Sequence, residues 1–340
     1  MCRNSRVGDF KQDVNTRTVL DVMRLLDGLG MNVFADLGAL NRDLWCRSRL
    51  IFERQKVRLS PFQRYSLLVT DTVDSHADAA AVWRVSYTSR PPQLTGTQDV
   101  VVPYGMDPTL TYRRANAPLP RNPLSPRPIR ILFAGQCTQE GYDRRHLIGQ
   151  RYGKLTRYAL VSHLRAKGLV HEPDTLEALR ALLAPSQRRD FVFVDTRRFS
   201  IPIDQWLDVV AASDFFFCPP GNIFPICHNI IEAMAVGTIP ITSYPEWLTP
   251  ALIRGETCLE FDTFDSLDAA IAAALDMDRA AIEDMRNRVI AHYDTHLDYR
   301  KVALRLLPRM GEPLRLHVLD ETFHRVEALP SISAASAIPS

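Results

Sequence analysis

Residues 215–242, FFFCPPGNIFPICHNIIEAMAVGTIPIT, constrain this chain more than any other stretch. An apolar run from Phe215 to Cys218 stops at Pro219, Pro220 and Gly221. A segment with Ile230, Ile231, Met234 and Ala235 on one helical face follows. The order is strand, tight loop, helix. Gly237 ends that helix, because a residue without Cβ takes the left-handed conformation at little cost, and Thr238 to Thr242 reads as the next buried strand.

Glu232 is the one acidic residue inside this apolar helix. A buried carboxylate without a partner is costly and sooner neutralises, so the position needs a reason. In a doubly wound α/β domain the carboxyl ends of the strands and the first turns of the next helices form a crevice for nucleotides. Lining it, Glu232 can accept two hydrogen bonds from a ribose, while Gly221 lets backbone approach the ligand and the helix N-terminus faces a diphosphate. Helical periodicity alone favours Glu232 on the solvated face of an amphipathic helix.

The rest of the chain alternates in the same way. Residues 17–29 have helical spacing and stop at Gly30, before a strand in MNVFAD. The polar residues ahead of that helix leave any opening strand short, unusual or missing. Residues 65–71, 82–88 and 99–104 read as further strands, the first nearly continuous in its apolar content. Asp36 and Asp71 each end such a strand, where a doubly wound sheet presents functional groups; each is also an ordinary helix cap or turn former. Residues 111–130 carry five prolines and five arginines and read as an interdomain linker whose charge is solvated. IRILFAG, FVFVD and residues 202–214 then supply strand, strand and helix. An amphipathic region runs from Leu267 to Leu307. The expected division is 1–112, a linker at 113–129, a second domain at 130–310, and an extension at 311–340 whose small, polar end reads as disordered.

With 340 residues and 46% hydrophobic content the chain can bury the cores of two domains. A formal net charge of +2 argues against general nucleic-acid binding. The six cysteines have neither a C-x-x-C pair nor zinc-type spacing, so no disulfide framework or metal cluster is expected. No stretch has the apolar length of a signal peptide or membrane span, which points to a cytoplasmic protein, with peripheral contact to the inner face of the plasma membrane left open. His292 and His296 stand one turn apart without a third ligand and read as a helix face. G-x-G-x-x-G, G-x-S-x-G and Walker loops are absent, which leaves dehydrogenase, hydrolase and NTPase readings without support.

Three stretches together resemble the exostosin family of glycosyltransferases. They are DVVVPY (99–104), RILFAG with GYDRRHL (130–135 and 141–147), and the P-x-G loop, Glu-Ala pair and G-x-I-P exit of 215–242, in the family's order. The resemblance implies two facing Rossmann-like domains of the GT-B type, with a nucleotide-sugar cleft between them. It implies transfer of a sugar from a nucleoside diphosphate donor, a UDP-sugar first, to a hydroxyl of a glycan or glycoconjugate, in polysaccharide or glycoconjugate biosynthesis. It further implies an inverting reaction without a bound metal or other cofactor. Arg144 and Arg145 match the family's arginine and would clamp the leaving diphosphate, since the guanidinium fork suits phosphate oxygens. Glu232, Gly221, Asn222, His228, Asn229 and Gly135 would bind the donor. The base would come from the first domain, with Asp71 and Asp36 as candidates and His76 third. Two features depart from related patterns: Phe224, not an acidic residue, stands eight before Glu232, and Asn229 holds a position that is often arginine. A catalytically silent scaffold that binds a sugar nucleotide, and a retaining transferase, are the alternatives.

Overall fold

The computed structural model describes residues 4–7, 21–22, 24–26, 32–35, 67–70, 81–107, 109–110, 117–121, 127–184 and 189–319. Its strands are β1 (Asn4–Val7), β2 (Asn32–Ala35), β3 (Leu67–Thr70), β4 (Val82–Thr88), β5 (Asp99–Val101), β6 (Ile129–Gly135), β7 (Arg189–Asp195), β8 (Ser213–Cys218), β9 (Ile239–Thr242), β10 (Leu259–Glu260) and β11 (Leu314–Leu319). They form two wholly parallel sheets, ordered β2-β1-β3-β4-β11-β5 and β10-β9-β8-β6-β7. The α-helices are α1 (Gln139–Tyr142), α2 (Gln150–Tyr152), α3 (Arg157–Ala166), α4 (Leu176–Leu182), α5 (Trp206–Ala211), α6 (His228–Ala235), α7 (Phe264–Asp276), α8 (Arg279–His292) and α9 (Tyr299–Leu306). Residues 21, 22 and 24–26 are also helical. The chain is α/β with two doubly wound parallel sheets, as expected.

The second sheet is buried on both faces, which explains its continuous apolar strands: every residue of β8 and β9 is buried, as are Ile129 to Ala134 of β6. Its order reverses between β6 and β8, so the switch point, where such sheets bind ligands, lies at the ends of those strands. Gly237 has φ +71°, and a Cβ there would meet Ile290 Cδ1 at 2.7 Å, so helix exit and close packing both require glycine. The opening strand, expected short or missing, is the four-residue β1, paired with β2 on one side and β3 on the other. Its composition is polar because pairing, not local preference, makes it a strand.

Two features differ from expectation. The linker arginines that fall in described residues are not solvated. Arg127 is buried and donates to the carbonyls of Ser213 and Val236 and to Thr238 Oγ1; Arg130 is buried beside Asp214. Each guanidinium satisfies backbone or acidic groups that the strand starts leave exposed inside the fold. The amphipathic stretch 267–307 is also not one unit. It breaks at Met277, and again in a π-helical turn, Tyr293–Leu297, from which α9 passes to the other core. There Val302, Ala303 and Leu306 pack with Leu314, Leu316 and Val318 of β11 and with Trp83 and Val85 of β4. No helix among the described residues is long and apolar enough to cross a membrane.

Candidate functional site

A cavity of about 360 Å³ opens at the switch point of the second sheet, within the size range of small-molecule sites. Gly135 and Gln136 at the end of β6, Thr196 after β7, and Cys227, His228, Asn229 and Glu232 at the start of α6 line it, with Arg157, Trp206 and Asp107. The fold thus brings four of the sequence-expected donor residues, Gly135, His228, Asn229 and Glu232, to one cavity.

Glu232 is 1% exposed, so it does not lie on a solvated face. Its Oε1 accepts from the Asp107 backbone N–H at 2.9 Å and its Oε2 from Trp206 Nε1 at 2.7 Å. These two donors answer the question that a buried carboxylate raises. They also fix its plane while leaving each oxygen a further acceptor site. Asn229 ties the start of α6 to β6, its Nδ2 donating to the Ala134 carbonyl at 3.3 Å. Cys227 occupies the N-cap position of α6, and its thiol donates to Asn229 Oδ1 at 2.9 Å, with His228 Nδ1 3.8 Å from the sulfur. Burial pushes the Cys227 thiol up, but His228, Arg157 and the Asn229 backbone N–H outweigh it and hold it at about 6.

The cavity's buried cation is Arg157, which sequence reasoning missed. Thr156 caps α3, its hydroxyl accepting from Ala159 N, and this places Arg157 at the first helical position. Arg157 is 4% exposed. Its Nε donates to the Pro220 carbonyl at 3.0 Å, its Nη1 to the Gln136 carbonyl at 3.1 Å, and its guanidinium lies 4.2 Å from the Tyr142 ring centroid. Nη2 makes no bond among the described residues, and no carboxylate there pairs with the charge. A capping threonine before the first long helix after β6 was the available signal, since helix starts near a switch point face anions. Trp206 and Asp107 had no local signal, their contacts to Glu232 spanning 26 and 125 positions.

Other expected residues lie elsewhere. Arg145 has a 77% exposed side chain and pairs with Asp143 at 3.1 Å. Arg144 precedes the π-helical turn Arg145–Gly149, its carbonyl accepting from Leu147 and Ile148, and its side chain is not among those lining the cavity. Gly221 is required by its own loop: a Cβ would meet the Phe224 carbonyl oxygen at 2.5 Å. Neither it nor Asn222 lines the cavity. Asp36, Asp71 and His76 lie outside the described residues. His292 and His296 are neighbours, ring centroids 5.1 Å apart, and no cluster of three metal-ligating side chains occurs among the described residues.

No protein-family profile matches the chain, and no curated protein matches it. Solved structures are similar at low identity. A glycosyltransferase from Rickettsia africae ESF-5 is 11% identical, covering 92% of this chain and 99% of its own, with a TM-score of 0.49. Anabaena Alr3699/HepE in complex with UDP and glucose is 10% identical (91% and 99% covered, TM-score 0.46). Acinetobacter baumannii MurG is 12% identical (90% and 99%, TM-score 0.38). At such distances these likenesses carry no conclusion about the activity of this chain.

Proposed function

We propose that the switch-point cavity binds a nucleoside diphosphate sugar, a UDP-sugar first, and that the chain transfers the sugar to a hydroxyl of a glycan or glycoconjugate. The observation that carries this reading is Arg157, a buried charge with no carboxylate partner among the described residues, in the same cavity as Glu232. A cation held by two carbonyls and an aromatic ring is stabilised by an anion, and a diphosphate with developing charge is the anion that glycosyl transfer produces. Arg157 and the first turn of α6 would bind the departing diphosphate, and Glu232 the ribose. Ile201, Ile203 and Trp206 would offer an apolar wall to the base. The expected inverting outcome, without a bound metal, and the base role of Asp71 or Asp36, belong to the same proposal.

One observation favours a second reading. Glu232 already holds two protein donors, as it would in a catalytically silent module where it serves only to latch Asp107 and Trp206. Isothermal titration with UDP, UDP-sugars and other nucleoside diphosphates separates the two. The wild-type chain is expected to bind a member of the panel, and Arg157→Ala to weaken that binding roughly 10- to 100-fold, the effect of losing a charge-assisted phosphate contact. Full affinity in a folded Arg157→Ala variant would reject the assignment. Binding without sugar transfer to any acceptor would favour the silent module.

A further inference from the structure

Val102 belongs to the core of the first sheet and Tyr104 to that of the second, so the chain changes cores across Pro103. The next three residues form a strap held at both ends. Asp21 and Arg24, 5% and 2% exposed, stand on helical residues whose neighbours Val22, Leu25 and Leu26 pack in the first core. They pair with each other at 2.8 Å and together grip the strap: Asp21 Oδ2 accepts from the Gly105 N–H at 3.4 Å, and Arg24 Nη1 donates to the Met106 carbonyl at 3.3 Å. One residue on, the Asp107 N–H donates to Glu232 Oε1 at 2.9 Å. A Cβ at Gly105 would collide with Arg24 Nη1 and meet Asp21 Oδ1 at 2.5 Å, so this approach requires glycine, and the paired side chains that a Cβ would push are themselves buried. We propose that Asp21 and Arg24 are positioning residues for the donor: they fix the strap at 105–106, the strap fixes the Asp107 N–H, and that N–H aims the Glu232 carboxylate at the ribose. The last step rests on the nucleotide reading of the cavity; the first two do not.

A second cavity, of about 110 Å³, lies behind the candidate site and makes the coupling direct. Asp21, Arg24 and Gly105 line it with Met106, Leu207 and Ile231, whereas the residues next to those last three, Asp107, Trp206 and Glu232, line the first cavity. The two cavities therefore share a wall built from 106–107, 206–207 and 231–232. Glu232 and both of its donors stand in that wall. Close packing would stop such a wall from shifting, but open space on its far side leaves it free to follow the strap. With Trp206 as its only remaining donor, the carboxylate would pivot about one bond; with Asp107 as well, its plane is fixed before a ligand arrives. A group held ready in this way binds more tightly, because its ordering cost does not fall on the binding step. Neither Asp21 nor Arg24 lines the donor cavity, so both act through Glu232. A donor site so built is complete only when both cores are in place.

The test uses the full chain and begins without nucleotide. Amide exchange and the Trp206 indole N–H resonance are followed by NMR in the wild type, in Gly105→Ala, and in a variant carrying Asp21→Asn and Arg24→Met together, which leaves neither charge buried alone. Both variants are expected to exchange the Asp107 amide at least about tenfold faster than wild type and to shift the Trp206 resonance. A wild-type value of either in a folded variant would overturn the proposal. If neither variant folds, the wild type decides: the Gly105 and Asp107 amides, held by one strap, should open together with protection within about tenfold of each other, and a larger gap overturns it. UDP titration follows. Each variant should bind UDP about tenfold more weakly, and this loss should shrink to under about twofold in a Glu232→Ala background, because the strap acts through that carboxylate. An equal loss in both backgrounds would overturn the positioning role. Variants whose Asp107 amide and Trp206 resonance respond as expected, in a chain that never binds UDP, support the strap and overturn the nucleotide reading instead.

Discussion

Arg157 carries a full charge into a place where charge is costly, and the carbonyls of Pro220 and Gln136 only partly replace the water it loses. Glu232 poses the opposite problem and is solved by neutral donors, so the two side chains give different mutant phenotypes. Glu232→Ala would orphan the Asp107 N–H and Trp206 Nε1, each worth about 1–3 kcal/mol when left unsatisfied. It is therefore expected to lower the melting temperature as well as UDP affinity; a variant that melts as wild type and binds as wild type would remove Glu232 from the site. At this scale the sequence was informative only for residues placed by a local motif. Glu232, Asn229 and His228 follow from strand, loop and helix in that order, and Gly135 from a strand end. Arg144, Arg145 and Arg157 lie within one short stretch between β6 and the body of α3. Choosing among them depends on a π-helical turn and on Gly153 at φ +66°, which together set the direction from which α3 enters the cavity. Neither has a distinct sequence signature.

Elements are held to one another by a buried charge cluster at the opposite end of the second sheet. Asp214 of β8, 2% exposed, pairs with Arg130 of β6 and with Arg286 and Arg279 of α8. Asp214→Asn would leave arginines buried without their counter-charge. A loss of about 3–5 kcal/mol is expected, read as a drop in melting temperature, and a drop of under about a degree would refute the network's importance. The π-helical turn after α8 makes a second prediction. Burial first, then His296, pushes His292 down to about 4. The unfolded chain takes up that proton as pH falls below about 6.5, while the native state resists until about 4, so stability is lost across that window on acidification. The melting temperature should fall between pH 7.5 and 5, and His292→Leu should flatten the fall. An unchanged pH slope in that variant would rule out His292 as its source. Buried parallel strands were legible because both faces are apolar, as in β6 and β8. The break of 267–307 into three helices was not, because amphipathic spacing continues across the turn at 293–297 while the core it serves changes.

Across the whole molecule, alternating strands and helices made two parallel sheets legible, but not which strand belongs to which sheet. The alternation of Leu314, Leu316 and Val318 suits a half-buried strand, yet nothing local indicates that its partners are β4 and β5, more than 200 positions earlier. Strand pairing at that range is decided by the fit of the assembled cores, not by neighbours in the chain. Such pairing also shapes how the protein is made. A ribosome releases β4 and β5 before the second sheet and β11 after it, so the first sheet stays split, its two inner edges open, while the whole of the second emerges and closes. The half synthesised second can therefore mature first, while the half synthesised first waits for β11 to join β4 to β5.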